Sequence, residues 1–158
     1  MWRPIRSADP ATRAARVVTI VATILFTVVL CEWRPWELFA RGGFSADFYD
    51  EQARSFLRLR LDVRPEVAGI EGFLIDGRTY LYYGPFLALV RLPFAIFGDA
   101  FAGRLTRLSM VIGYASLCTV AFHLVRLRTA SVWRTAGFVA AVACSPALAL
   151  AGWTSVYH

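Results

Sequence analysis

Three long apolar runs, each bordered by arginines, constrain this chain more than any other feature of its sequence. The runs begin near Val17, Leu105 and Val132, in a chain of 158 residues that is 58% hydrophobic and 18% charged. Soluble domains average roughly half apolar and about a quarter charged residues. Because an apolar run of about 20 residues can cross a bilayer, the sequence predicts an all-α membrane protein with about three transmembrane helices and a long external loop.

The positions of the 17 arginines predict the orientation of these runs. Residues 1–16 carry four arginines and one aspartate, whereas residues 32–103 carry eight arginines and ten acidic residues. Cytoplasmic flanks are rich in basic residues, so the N-terminus and residues 126–134 are predicted to be cytoplasmic. A nucleic-acid-binding protein would instead concentrate its arginines on one patch. The expected location is therefore the plasma membrane, as a multi-pass protein, with no nucleic acid as partner.

The same flanks divide the chain into six segments. These are a cytoplasmic tail (1–16), a first span (17–33), an external loop (34–103), a second span (104–125), a cytoplasmic connector (126–134) and a third span (135–157). A signal peptide is the alternative for the first run, but no small-residue cleavage site follows it.

Residues 80–98 form a fourth apolar stretch, which we do not predict to cross the membrane. This stretch contains Arg91 together with Pro85 and Pro93. An arginine near the middle of a bilayer costs about 2.5–3.5 kcal/mol on insertion scales. We therefore expect an amphipathic or re-entrant helix at the outer surface.

The external loop begins with a predicted amphipathic helix from about residue 46 to 61, capped by Ser45. Asp47, Asp50 and Glu51 share one face at its start. One interpretation is that these acids stabilise the helix through its dipole, whose positive end lies at the N-terminus, and that Asp50 pairs with Arg54. The other is a general base or a metal-ligating cluster. Asp47 has no arginine three or four positions further on, which favours it as the chemical residue.

A second pattern in the loop predicts a β-hairpin over residues 73–82. Asp76 and Gly77 lie between two apolar stretches, which is typical of a two-residue hairpin turn. Tyr82 and Tyr83 follow the hairpin in an aromatic cluster. Such a cluster is either an interfacial anchor or a platform for a sugar or lipid.

The order of these features resembles the N-terminal part of the GT-C fold membrane glycosyltransferases. These polytopic enzymes of the cell envelope take a sugar from a polyprenyl-phosphate donor. The resemblance is carried by the segments ADFYDEQAR, from Ala46, and IEGFLIDGRTYLYYGPF, from Ile70, and it is greatest for an actinobacterial branch of the family. It covers roughly residues 15–155.

The resemblance implies roles for particular residues. Asp47 matches the acid that takes the acceptor proton and helps to hold a divalent metal, Mg²⁺ or Mn²⁺. It lies only two residues before Tyr49, so Asp50 or Glu51 is an alternative counterpart. Gly84 and Pro85 stand where many relatives have Lys-Pro-Pro, and the missing donor-phosphate contact would then fall to Arg78 or Arg91. Tyr82 and Tyr83 complete the implied substrate-binding set.

Family members are much longer than this chain, so we expect it to be an N-terminal fragment that is inactive alone. Its expected partners are the lipid bilayer, the polyprenyl-phosphate sugar donor and the remaining helices of a larger transferase or a partner membrane protein. The alternative is a small non-enzymatic multi-pass membrane protein that acts through helix–helix assembly. A stripe of small residues favours helix packing in either case: Gly137, Ala141, Ser145 and Ala149. A transporter ranks lowest, since no predicted span carries an unpaired acid.

Overall fold

The computed structural model describes residues 9–43 and 46–145, and this part of the chain is mostly helical. Its helices are α1 (Pro10–Leu30), α2 (Phe48–Leu57), α3 (Pro65–Ala68), α4 (Phe86–Ala95), α5 (Leu105–Arg126) and α6 (Val132–Ala143). Strands β1 (Gly72–Ile75) and β2 (Arg78–Leu81) form one hairpin, and 3₁₀ turns cover Pro35–Phe39, Gly69–Glu71 and Gly98–Phe101. The predicted α-helical class with one small hairpin is confirmed.

Two of the described helices are long and apolar enough to cross a bilayer: α1 with 21 residues and α5 with 22. At a rise of 1.5 Å per residue each is about 30 Å long, the thickness of a hydrocarbon core. The bounds of α5 agree with the predicted second span to one residue at each end. Helix α1 begins earlier than the predicted first span, because Pro10 occupies the first helical position, where its fixed φ is favourable.

The third predicted span is only partly described. Helix α6 has 12 residues, and the stretch from residue 146 onward, including Ala149, lies outside the described residues. The residues of the basic N-terminal tail before Asp9 lie outside them as well.

The described residues fall into two compact units. The first, from 9–38 and 109–145, contains α1, most of α5 and α6. Its core includes a stacked pair of rings, Phe26 and Tyr114, whose centroids are 4.2 Å apart. The Tyr114 hydroxyl donates to the carbonyl oxygen of Ala143 at 2.7 Å, which joins α5 to α6. The Arg126 guanidinium lies 2.9 Å from the Asp9 carboxylate, so α1 begins beside the end of α5 and the two helices are antiparallel.

The outward faces of α1 and α5 are apolar. On α1, Ile20 and Ile24 are more than half exposed, and on α5 the same holds for Ile112 and Val120. Soluble monomers rarely expose an apolar face of this kind to solvent.

The second unit, from 39–43 and 46–108, contains most of the predicted external loop, whose first residues, 34–38, belong to the first unit. Helix α2 is shorter than predicted: it ends at Leu57 rather than near residue 61. The reason is local, because Leu59 adopts a left-handed φ of 55° and the Arg60 amide then bonds back to the Ser55 carbonyl at 2.9 Å. Ser45, the predicted cap, lies outside the described residues, and Asp47 occupies the N-cap position without a side-chain capping bond.

The hairpin has the predicted turn. Asp76 and Gly77 have φ values of 49° and 75°, as a two-residue type I′ turn requires, and Ile75 pairs with Arg78 across it. Helix α4 follows over ten residues, or about 15 Å, which is too short to cross a bilayer core of about 30 Å by itself.

Candidate functional site

The three carboxylates at the start of α2 have different surroundings. The side chain of Asp47 is 24% exposed, whereas those of Asp50 and Glu51 are 8% and 6% exposed. A buried carboxylate needs hydrogen-bonding or charged partners, because burial of an isolated charge is costly. The partners therefore decide which of the three is available for chemistry.

Asp50 is held on both oxygens. Its Oδ2 accepts the backbone N–H of Gly103 at 2.9 Å, and its Oδ1 lies 3.1 Å from Nη1 of Arg91. Burial raises the pKa of Asp50, although the Gly103 N–H and the Arg91 guanidinium act in the opposite direction. Gly103 has a φ of 70°, a left-handed conformation that favours glycine, and a Cβ there would lie 3.1 Å from the Arg41 side chain. Both features favour glycine at the position whose N–H binds Asp50.

Arg91, the partner of Asp50, is itself only 2% exposed. Its Nη2 donates to the Thr106 hydroxyl at 3.2 Å, and that hydroxyl donates to the Ala46 carbonyl at 2.6 Å. The guanidinium carbon lies 5.4 Å from the ring centroid of Tyr49, within the range of a cation–π contact. Arg91 therefore ties α4 to α2 and to the first turn of α5.

Glu51 is surrounded by arginines. Arg54 donates to its Oε2 at 2.7 Å, and Arg64 donates to both oxygens, at 2.8 and 2.9 Å. Burial alone would raise the pKa of Glu51, but the hydrogen bonds from Arg64 and Arg54 outweigh it and lower the pKa. Arg54, which we expected to pair with Asp50, pairs with Glu51 and with Asp99, whose Oδ1 lies 3.0 Å from its Nη1.

Asp47 is the most accessible of the three carboxylates. The guanidinium of Arg41 is 4.0 Å from its Oδ2, and the Arg41 side chain is 67% exposed. An exposed pair at this distance contributes little to stability. Asp47, at the N-cap of α2, is thus the carboxylate of the three that is most open to a bound molecule.

The three carboxylates are not grouped as the ligands of an all-protein metal site would be. Within residues 9–43 and 46–145, no group of three or more His, Cys, Asp or Glu side chains lies together as metal ligands would. Both oxygens of Asp50 are engaged by Arg91 and Gly103, and those of Glu51 by Arg54 and Arg64. Asp47 is therefore the carboxylate of the three that could contact a divalent metal, which would take its other ligands from water or phosphate oxygens.

The two tyrosines predicted to bind substrate lie in an aromatic cluster beside α2. The rings of Tyr82 and Tyr83 are 4.3 Å apart, and Tyr83 also contacts Phe48 and Tyr49 at 5.7 and 5.9 Å between ring centroids. The Tyr82 hydroxyl donates to Glu71 at 2.6 Å, and this hydrogen bond raises the pKa of Tyr82. We call the start of α2, with Asp47, Asp50 and Glu51, the acidic turn. Tyr82 is 54% exposed, so its ring is accessible to solvent in the cluster beside this turn.

Arg78 lies in a different place, on a polar cleft of about 620 Å³ between the end of α2 and the hairpin. We call this the arginine cleft. Its charged lining consists of Arg58, Arg60, Arg64, Arg78, Glu51 and Asp62. Arg78 and Glu51 therefore line the same cleft, while Arg91 is buried against Asp50.

Sequence reasoning did not identify Arg64, Asp99 or Gly103 as partners of the acidic turn. Gly103 is 53 positions from Asp50 and Arg64 is 13 positions from Glu51, so no local spacing rule links them. In the sequence after α2, arginines alternate with leucines at Arg58 and Arg60, and this pattern was a local signal for the cleft.

A scan against protein-family models finds no match to this chain, and searches of curated proteins and of solved structures find none either.

Proposed function

We propose that this chain supplies the first helices and the first external loop of an integral membrane glycosyltransferase. In this proposal the enzyme transfers a sugar from a polyprenyl-phosphate donor to an acceptor outside the cytoplasm. The observation that carries the proposal is the isolation of Asp47: it is the accessible carboxylate of an acidic turn whose other two members are held by arginines.

The proposed role of Asp47 is general base. The acceptor hydroxyl oxygen attacks the anomeric carbon, the bond from that carbon to the phosphate oxygen breaks, and Asp47 takes the hydroxyl proton. Proton transfer of this kind contributes typically about 10²–10⁴-fold to rate. In this proposal the exposed Tyr82 ring stacks on a sugar ring, and Arg78 is the candidate phosphate contact, since Arg91 is committed to Asp50 and Thr106.

Two features of the first unit support a location in the plasma membrane. The apolar outward faces of α1 and α5 would face lipid. The Asp9–Arg126 pair places the start of α1 beside the end of α5, as expected if both basic flanks are cytoplasmic.

The exposed small residues of α6 favour a second candidate, a non-enzymatic protein that assembles through its helices. Helix α6 packs within its unit through buried Thr135, Val139 and Ala143, which leaves Gly137 and Ala141 exposed. A face of small residues allows close helix contact. In the transferase the same face would contact further helices of the enzyme.

Single-cysteine labelling tests the membrane arrangement. Cys31, Cys118 and Cys144 are replaced by alanine, and cysteine is introduced at Ile70 or at Ala130, both of which are exposed. A membrane-impermeant maleimide should label position 70 in intact cells and position 130 only after permeabilisation. Labelling of position 130 in intact cells would contradict the three-span topology, because residues 80–98 would then have to cross.

Photo-crosslinking tests the proposed donor. A photoreactive polyprenyl-phosphate sugar, added to membranes that contain the chain, should label peptides from residues 34–103. The unlabelled donor should compete, and the corresponding polyprenol without phosphate should not. Labelling that neither compound reduces would exclude a specific donor site in this loop.

A further inference from the structure

The arginine cleft contains Arg78, the proposed donor-phosphate contact, together with further charged residues to which the transfer reaction assigns no role. Its volume of about 620 Å³ lies within the range of roughly 300–1,000 Å³ that is usual for small-ligand pockets. Such pockets are mostly apolar, but the charged lining here consists of four arginines and two carboxylates.

Two of the four arginines are already paired within the cleft. Arg60 pairs with Asp62, and Arg64 pairs with Glu51. The Arg60 hydrogen bond lowers the pKa of Asp62, and the pKa of Glu51 is also lowered, so both carboxylates remain ionised near neutral pH. The internal charge of these two pairs is therefore balanced.

Arg58 and Arg78 carry the remaining positive charge of the cleft, and Arg78 also acts electrostatically on Asp62 and lowers its pKa. Both are exposed, and neither forms an ion pair with another side chain of residues 9–43 and 46–145. They come from different elements: Arg58 is the C-cap residue of α2, and Arg78 begins β2 directly after the hairpin turn. The short antiparallel pairing of the hairpin, and the bond from the Val63 amide to the Thr79 carbonyl at 2.8 Å, fix β2 beside the segment that follows α2.

We propose that the arginine cleft is a binding site for a phosphate-type oxyanion, with Arg58 and Arg78 as its main contacts. A guanidinium group presents two parallel N–H donors that match the oxygens of a phosphate. Two such groups that line one cleft suit an anion with several oxygens, whether on a lipid headgroup or on a free phosphate compound. This inference does not rest on glycosyl transfer.

Titration calorimetry of the full chain in detergent, with sodium pyrophosphate as the probe, tests the site. Wild type should bind saturably. Arg58→Gln and Arg78→Gln should each weaken binding by about tenfold or more, since each removes a charged hydrogen-bond donor. The double variant should show no measurable binding, whereas Arg104→Gln, an exposed arginine of the same unit outside the cleft, should bind like wild type.

Two results would overturn the proposal: no saturable binding by wild type, or equal binding by the double variant. Circular dichroism checks that the variants retain their helix content. Nanodiscs then separate the two sources of the anion. Weaker pyrophosphate binding in phosphatidylglycerol than in phosphatidylcholine supports the site with a lipid headgroup as occupant, and equal binding supports it with a free phosphate compound. If the chain binds pyrophosphate but takes part in no sugar transfer, the anion site is supported and the proposed glycosyltransferase function is contradicted.

Discussion

Replacing Arg91 with leucine should accelerate amide hydrogen exchange in α2 and α4 by about a hundredfold to several thousandfold. The substitution leaves the Asp50 carboxylate, 8% exposed, without its guanidinium partner. Removing one member of a buried ion pair costs about 3–5 kcal/mol, because the remaining charge is uncompensated. Exchange measured by mass spectrometry on the chain in nanodiscs reports this local loss of stability.

An exposed pair provides the matched control. Arg34 and Glu37 also form an ion pair, at 3.4 Å, but their side chains are 64% and 37% exposed. Such pairs contribute about 0–1 kcal/mol to stability. Arg34→Leu should therefore change the amide exchange rates of the residues around it by a few-fold at most. The double variant Asp50→Leu with Arg91→Leu should recover part of the lost protection, since it removes both charges. If Arg91→Leu behaves like Arg34→Leu, the buried pair does not stabilise this unit.

Asp47→Asn should lower the rate of sugar transfer by about 10²–10⁴-fold in the complete membrane enzyme, with little change in its stability. Asparagine keeps the size of the side chain but cannot take a proton from the acceptor. Among the described residues, Asp47 makes no side-chain capping bond, and its ion pair is a 4.0 Å contact with Arg41, so the substitution removes little that stabilises the fold. The measurement is the initial rate at matched protein levels, together with the melting temperature.

Asp50→Asn is the comparison variant. Because Asp50 is buried against Arg91 and Gly103, its substitution should reduce the amount of folded protein rather than the rate per folded molecule. A normal level of inactive protein for Asp50→Asn, together with full activity for Asp47→Asn, would move the general base three residues along α2.

The elements that the sequence predicted well are those with local signals. The hairpin follows from Asp76 and Gly77, which accept the positive φ values of its turn. Helix α5 follows from a continuous apolar run with arginines at its ends. In both cases neighbouring residues determine the outcome, so a single sequence is sufficient.

The surroundings of the acidic turn were not predictable in the same way. The i to i+4 spacing of Asp50 and Arg54 suggested an ion pair. The i to i+3 spacing of Glu51 and Arg54 permits one equally well, and Arg54 pairs with Glu51 and with Asp99. Asp50 instead meets Arg91 and Gly103, which are brought to it only by the packing of α4 on α2. Tertiary contacts thus separate the structural carboxylate, Asp50, from the accessible one, Asp47.

Sugar transfer in membranes is the most direct test of the central claim that this chain belongs to a polyprenyl-phosphate-dependent glycosyltransferase. Membranes are prepared from cells in which its gene is disrupted, and from the same cells after restoration with wild type or with Asp47→Asn. We predict that transfer from a radiolabelled polyprenyl-phosphate sugar is lost on disruption, returns with wild type and does not return with Asp47→Asn. Equal transfer in disrupted and restored membranes would contradict the claim.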